Sequence, residues 1–461
     1  MDDGEWKLID QDDSCQFTVE HFRTAELNLV WNPQITSSSI LRAEIVSDTQ
    51  SPNDCESEHD HLFDVKNLQT ELSTLLNPIC ISFERKVVRK LLPRNPAKDS
   101  PMIQSCVFLF NETHVGIVYI PHVTNADAIP FYHPAVSGIL LWYSPTRNLL
   151  SLYYRFYPNT KLTTRLQRTG LRLLAIAKKH STGVAKGYQK RVHHDVIVDK
   201  IRFQDRYLEL KVKYSRQLCE SWVESTDPKK HVFEDLGIAA FLMELWESRK
   251  LKFDSFVDLG CGNGLLVYIL VMEGYTGFGI DARRRKSWEI YPLKVQQQLR
   301  QQILLPKYST AATLPDFEKD SILLQSQLPQ SCFLIGNHSD ELTPWIPFLN
   351  HPFVVIPCCS HAFTGAKYRY PPPPSSLKLP SSTYSALVYH VELMAAGLGW
   401  KVEREMLRIP STRNTALIGI DVDRKLVGKL QSAEEIICKY GGSSGFAQNV
   451  ISLMNKNPRS H

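Results

Sequence analysis

Two rhythms of apolar and polar positions divide the chain. From Lys252 onward, short apolar runs alternate with helical spacings. Phe253–Leu259 and Gly277–Asp281 predict buried strands on either side of a helix over Leu265–Glu273. Further strands are predicted at Cys332–Gly336, Phe353–Pro357, Val402–Ile409 and Ala416–Ile420, with helices at Pro292–Leu305 and Tyr384–Leu398. This alternation predicts an α/β, Rossmann-like fold, a mostly parallel sheet with helices on both faces. The run Tyr370-Pro-Pro-Pro-Pro-Ser-Ser fits neither helix nor central strand and reads as a loop or lid.

Upstream the rhythm is that of strands. Cys106–Phe110, Val115–Ile120, Gly138–Tyr143 and Leu149–Tyr157 are rich in β-branched and aromatic residues, so an N-terminal α+β, β-rich accessory domain is expected. The spacing of Arg85, Lys86, Arg89 and Lys90 after Ile79 predicts a short basic helix, and residues 161–180 a basic amphipathic one. Asp195–Ile201 and Tyr207–Val212 read as two more strands. A helix with Trp222 follows, and then another runs to about Arg249, with Thr226 or Asp227 as its cap and Pro228 in its first turn. The first 75 residues are Ser-rich at Thr36–Ser39 and acidic at Asp54–Asp60, the pattern of a partly disordered arm. The expected domains are thus 1–75 (arm), 76–215 (basic accessory domain), 216–430 (α/β domain) and 431–461 (helix and tail).

Charge sharpens this division. The 461 residues carry a formal charge of +5, an average of unlike parts. Residues 1–74 hold 16 acidic and four basic residues, a net of −12, whereas residues 147–216 hold 17 basic and four acidic ones, a net of +13. A polyanion is the expected partner of the basic block, with Tyr153, Tyr154, Tyr157 and Tyr188 available to stack on bases. The acidic start has no apolar run behind it. The longest apolar run, Leu265–Val271, is far short of the roughly 20 residues of a membrane span. Neither a secretory signal nor a membrane segment is therefore expected. Ten cysteines without paired spacing fit a reducing compartment, and a soluble intracellular protein is expected.

The strongest chemical signal is Phe256-Val-Asp-Leu-Gly-Cys-Gly-Asn-Gly-Leu-Leu, where a strand turns through three alternating glycines into an apolar helix. Glycines let the backbone turn tightly and let a ligand approach without a Cβ in the way. A second strand ends in Asp281, 17 residues beyond Gly264, where a carboxylate can accept ribose hydroxyls. This Gly-x-Gly-x-Gly pattern, with an acid two residues ahead, resembles the first motif of class I S-adenosylmethionine-dependent methyltransferases.

In an open α/β sheet the reacting groups sit at the carboxyl ends of strands. After the fourth strand come Asn337, His338, Asp340 and Glu341. The Asn-Pro-Pro-aromatic string common in amine methyltransferases is missing there, which disfavours attack on an exocyclic base nitrogen. After the fifth strand come Cys358, Cys359, His361 and Lys367, open to three readings. Cys358, Cys359 and His361 can be zinc ligands, although adjacent cysteines chelate poorly. Cys358 can be the nucleophile of a pyrimidine C5 methyltransferase. Otherwise the cysteines are small packing residues, with His361 and Lys367 facing substrate; this reading is preferred. Methyl transfer to a ribose hydroxyl needs a proton acceptor in reach. Asp340 and His361 are the leading candidates, followed by Lys230 and Lys367.

Several strings together resemble the tRNA (uracil-O2′-)-methyltransferases. They are Ser225-Thr-Asp-Pro-Lys-Lys-His-Val-Phe-Glu-Asp, the glycine motif, Gly279-Ile-Asp-Ala-Arg-Arg-Arg-Lys-Ser-Trp, Gly336-Asn-His-Ser-Asp-Glu-Leu-Thr-Pro-Trp and Ile356-Pro-Cys-Cys-Ser-His. The resemblance covers about residues 200–425. It implies S-adenosylmethionine as donor, serine tRNA as partner, 2′-O-methyluridine as product and a cytoplasmic site of action; no DNA or membrane partner is expected. It also implies cofactor contacts at Asp258, Gly260, Gly262 and Asp281, and Cys261, Asn263, Gly264, Ala282 and Asn337 beside them are further candidate contacts. Asp227, Lys230 and His231 are assigned to cofactor or RNA, and Arg283, Arg284 and Arg285 to the phosphate path. Some animal relatives carry a C-terminal Cys3His zinc finger, but only Cys438 follows Cys359 here, so no metal is expected. The alternatives are an RNA C5-pyrimidine methyltransferase using Cys358 and a catalytically silent tRNA-binding subunit.

Overall fold

The computed structural model describes residues 6–50, 65–76, 81–188, 194–309, 319–377, 379–423 and 431–455. The chain forms two compact units, residues 1–190 and 191–461.

The first unit is built on β1 (Trp6–Asp12), α1 (Val19–Trp31), β2 (Ile40–Thr49), α2 (Val65–Leu75), β3 (Ser82–Pro93), β4 (Met102–Phe110), β5 (Val115–Pro121), β6 (Gly138–Ser144), β7 (Leu149–Arg155) and α3 (Thr164–Ala185). Its strands make one antiparallel sheet of order β1-β7-β6-β5-β4-β3-β2. One face of the sheet buries Phe108, Ile117, Leu141, Leu152 and Tyr154 against Phe22 and Val30 of α1 and Leu166, Leu174 and Ala177 of α3.

Two expectations change here. Residues 6–50 are not an arm, since β1 and β2 form the two edges of the sheet and α1 covers it. Their carboxylates find basic partners inside the unit, as in Asp12 with Lys178 at 2.7 Å. The hydrogen bond from Lys178 is the main cause holding the Asp12 carboxyl at about 2. The acidic run Asp54–Asp60 lies outside the described residues. The expected basic helix after Ile79 is strand β3. Its Arg89 is buried because Gln104 on the next strand and the Leu29 and Val30 carbonyls on α1 accept its hydrogen bonds. Tyr154 and Tyr157 are core residues and cannot stack on bases, while Tyr188 is 75% exposed.

The second unit runs α4 (Lys200–Glu220), α5 (Pro228–Ser248), β8 (Ser255–Leu259), α6 (Leu265–Met272), β9 (Gly277–Asp281), α7 (Leu293–Gln296), β10 (Leu299–Gln301), β11 (Ile303–Leu305), β12 (Ile322–Leu324), β13 (Cys332–Asn337), β14 (Phe353–Ile356), α8 (Thr383–Gly397), β15 (Trp400–Met406), β16 (Thr415–Val422), α9 (Ala433–Lys439) and α10 (Phe446–Met454). The main sheet has the order β10-β9-β8-β13-β14-β16-β15, parallel from β10 to β14 and antiparallel at β16 and β15. Apolar clusters fill both faces. β8 is central, so the glycine turn that follows it opens at the switch point of the sheet, where ligands bind in open α/β folds.

The strands expected at 195–201 and 207–212 are instead a capped loop and helix α4. Asp199 caps the helix by accepting from the Ile201 and Arg202 amides, and Phe203, Leu210, Tyr214 and Leu218 form its buried stripe. α4 packs on α5, with Arg202 and Arg206 paired to Glu244. The boundary expected at 215/216 therefore falls inside a helix of the second unit. The helix expected over 292–305 shrinks to α7, because Leu299–Gln301 adds an edge strand to β9. No described helix is long and apolar enough to cross a membrane.

Buried Glu405 on β15 ties the segment before α4 to this unit, accepting from the Asp195, Val196 and Ile197 amides at 2.8–2.9 Å. Glu405→Ala leaves three donors without their carboxylate. It is expected to cost roughly 1.5–3 kcal/mol in urea unfolding of the full chain; a loss below about 0.5 kcal/mol contradicts this role.

Candidate functional site

β8 carries Asp258 to the sheet edge, and the chain then turns through Gly260 (φ +80°), Gly262 (φ +53°) and Gly264 (φ +73°). These left-handed positions suit glycine. At Gly264 a Cβ would also meet the Leu299 side chain at 2.8 Å. The turn is pinned to the neighbouring strand. Gly260 and Cys261 donate to the Ile280 carbonyl at 2.9 Å, and Gly262 donates to Asp281 Oδ2 at 3.0 Å. Asp281 Oδ1 accepts from the Arg283 amide at 2.9 Å. Each carboxylate oxygen keeps a second lone pair, so the bonds that fix Asp281 do not exhaust it. Asn263 accepts from the Leu265 amide at the start of α6, while Ser287 and Tyr291 donate to its carbonyl and Trp288 to that of Gly262.

Around this turn lies a cavity of about 730 Å³. Of the residues expected at a cofactor, Asp258, Gly260, Cys261, Gly262, Asn263, Asp281, Ala282 and Asn337 line it, and Gly264 shapes the turn behind them. Of the proton-acceptor candidates, Asp340 and Lys230 line it. His361 and Lys367 do not. His361 is 1% exposed, with Nε2 3.8 Å from Glu341 Oε1, and Lys367 is an exposed residue bridged to it through the backbone.

The cavity is acidic. Asp227 caps α5 by accepting from the Lys229 amide, and that helix carries Glu234 and Asp235 to the wall. Burial, then the Glu234 charge, pushes the Asp235 carboxyl up to about 8, against a 3.1 Å hydrogen bond from Asn337 Nδ2. Asp258 is 1% exposed and its Oδ1 has no hydrogen-bond partner. Burial holds its carboxyl well above the usual range, and the Asp235 and Asp281 charges add to this. A buried, unpartnered carboxyl oxygen calls for a donor or a cation.

At the end of β13 the sequence reading missed a pair. His338 Nε2 lies 3.1 Å from Glu234 Oε1, while its Nδ1 is buried and without a partner. His338 (φ +54°) and Asp340 (φ +43°) both take left-handed backbone, which costs non-glycine residues about 1–3 kcal/mol and clusters at functional sites. A carboxylate that orients one imidazole nitrogen and leaves the other open is the arrangement of a general base. The contact spans 104 residues of sequence, so no local motif announces it.

The thiol of Cys358 donates to Asp340 Oδ1 at 3.0 Å. Burial and then Asp340 push that thiol far above its ordinary value, so it stays protonated and is a poor nucleophile. Asp340, Cys358 and Cys359 bring possible metal-ligand atoms within 4.8 Å of one another. Exposed Arg413 stands beside them, with Nη1 2.5 Å from the Cys358 carbonyl and 3.4 Å from Cys359 Sγ.

Two family models match the chain: "TRM44-like, N-terminal bet v1-like domain" over residues 2–191, and "Predicted AdoMet-dependent methyltransferase" over residues 197–306. Among curated proteins, the tRNA (uracil-O(2)-)-methyltransferase of Yarrowia lipolytica is 41% identical, the match covering 96% of this chain and 95% of the relative. Proteins of the same name from Neurospora crassa (42%; 95% and 91%) and Saccharomyces cerevisiae (39%; 98% and 94%) match as fully. An S-adenosylmethionine-dependent methyltransferase domain and near full-length similarity to these proteins show that the chain belongs to the tRNA (uracil-O(2)-)-methyltransferase family.

Proposed function

We propose that this chain transfers a methyl group from S-adenosylmethionine to the ribose 2′-hydroxyl of a uridine in serine tRNA, in the cytoplasm. The observation that carries the chemistry is the Glu234–His338 pair with its unpartnered Nδ1, at the chemistry-bearing end of β13. The donor supplies, when bound, an electrophilic methyl on a positively charged sulfur. The residues fit it, for Asp258 offers a buried carboxyl oxygen without a partner, Asp281 is held ready by two backbone amides, and the wall is rich in carboxylates.

His338 Nδ1 takes the hydroxyl proton as the ribose oxygen gains the methyl, and Glu234 stabilises the imidazolium that results. Asn337 and Asp235 hold each other at the floor. Lys230 and Arg413 at the wall suit the phosphates flanking the target nucleotide. Asp340 is engaged by Cys358 and acts by holding the loop after β14. The protonated Cys358 weighs against covalent attack on a pyrimidine, and an intact site weighs against a silent subunit.

The test is incubation of the full chain with serine tRNA and methyl-labelled donor. The label should appear in 2′-O-methyluridine, and label in 5-methyluridine would overturn the reading. His338→Ala should lower kcat by about 10²–10⁴-fold with donor affinity retained; unchanged kcat removes His338 from the mechanism. A pH dependence follows from Asp235. A carboxyl raised to about 8 is neutral in the free protein at pH 6–7, whereas a cationic ligand favours its ionised form. Donor binding should therefore release a proton and tighten from pH 6 to pH 8, by up to about tenfold per unit. Asp235→Asn should flatten that slope in calorimetry, and a wild-type affinity that falls over this range contradicts the assignment.

A further inference from the structure

The first unit contains a second cavity, of about 760 Å³, within the roughly 300–1,000 Å³ span of small-molecule sites. It lies between the sheet, α1, α3 and the loop around Phe131. Nothing in methyl transfer calls for it.

Its residues are graded from apolar to charged. Leu29, Leu91, Ile139, Leu141 and Leu166 give apolar walls. Beneath them runs a buried polar network. Arg89 donates to Gln104 Oε1, and Gln104 Nε2 lies 2.8 Å from His133 Nε2. Burial lowers His133 to about 4, so it is neutral; with Nδ1 on the Pro134 carbonyl, its Nε2 accepts from Gln104. Tyr119 donates to Glu26 Oε2 at 2.7 Å. One oxygen, Glu26 Oε1, is fully buried and has no partner. The network therefore leaves one carboxyl oxygen unpaired, one that accepts from a donor when Glu26, raised to about 7 by burial, is ionised.

The rim has a different chemistry. Phe131 is 69% exposed, with the Arg165 guanidinium stacked 4.1 Å from its ring centre. Lys161 and Arg172 line the same rim, exposed and without an ion pair among the described residues. An aromatic face, cations at the mouth, apolar walls and a floor in need of an N–H donor together match a nucleotide, with its base inward and its phosphates outward.

We propose that this cavity captures one unstacked nucleotide of the RNA substrate, a recognition site separate from the methyl-transfer site. The base lies on Phe131 and enters between α1 and α3, its N–H edge toward Glu26, while Lys161, Arg165 and Arg172 take the adjoining phosphates. The partner's identity as tRNA rests on the function proposed above; the cavity's chemistry does not.

The test uses the full chain saturated with S-adenosylmethionine, so that the methyl-transfer site is filled. Phe131→Ala combined with Arg165→Ala alters only exposed side chains, so folding should be kept. The double variant should bind serine tRNA at least about fivefold more weakly, with unchanged S-adenosylmethionine affinity. Ultraviolet cross-linking of the wild type should map to Phe131 or its neighbours. Wild-type tRNA affinity in the double variant, or cross-links confined to the second unit, overturns the proposal. If guanosine or uridine monophosphate binds the cavity while the variant keeps full tRNA affinity, the occupant is a free nucleotide, and the RNA reading is equally overturned. A wild-type protein that binds no tRNA at all is a failure of the proposed function. A variant that binds tRNA like the wild type is a failure of this site alone.

Discussion

Carboxylates crowded together with little exposure set the terms for the second unit. Glu234, Asp235, Asp258 and Asp281 are all nine-tenths or more buried and border one cavity, and the carboxyls of Asp235 and Asp258 are raised above their ordinary range by burial and by neighbouring carboxylates. Such a group costs stability unless it finds donors or positive charge. The fold meets part of that demand internally. Backbone amides of the glycine turn and of Arg283 hold Asp281, Asn337 holds Asp235, and His338 pairs with Glu234. The remainder, above all Asp258 Oδ1, is left without a partner. Glycine turn, α5 and the loop after β13 are thus three parts of one electrostatic arrangement.

The first unit resolves its charge differently. Its acidic and basic segments meet within one fold, so Lys178 and Arg155 are neutralised by Asp12 and Glu71. The exposed Lys161, Arg165, Arg168, Arg172 and Lys179 of the α3 region remain as the basic surface. The net of +13 therefore overstates what RNA can meet. The strength of such a surface is expected to depend on salt.

Legibility in the sequence followed the range of the interactions. β8, β9, β13 and β14 were readable because a buried parallel strand is a continuous apolar run, and Asp258, the glycines and Asp281 because one turn holds them together. β3 was misread because its charged residues are satisfied by partners far along the chain, Leu29 being 60 residues from Arg89. α4 was misread because Tyr207–Val212 alternates locally, whereas its apolar stripe appears only over 16 residues, from Phe203 to Leu218. The preference for His361 over His338 failed to find the pair for the same reason. Both histidines follow a sheet strand, and only the fold brings Glu234 to one of them.

Ribose methylation of a tRNA uridine is tested most simply by nucleoside mass spectrometry of serine tRNA from cells with and without this protein. 2′-O-methyluridine is expected to disappear from that tRNA when the protein is removed and to return when it is restored. Unchanged 2′-O-methyluridine, or loss of a base-methylated pyrimidine instead, would contradict it.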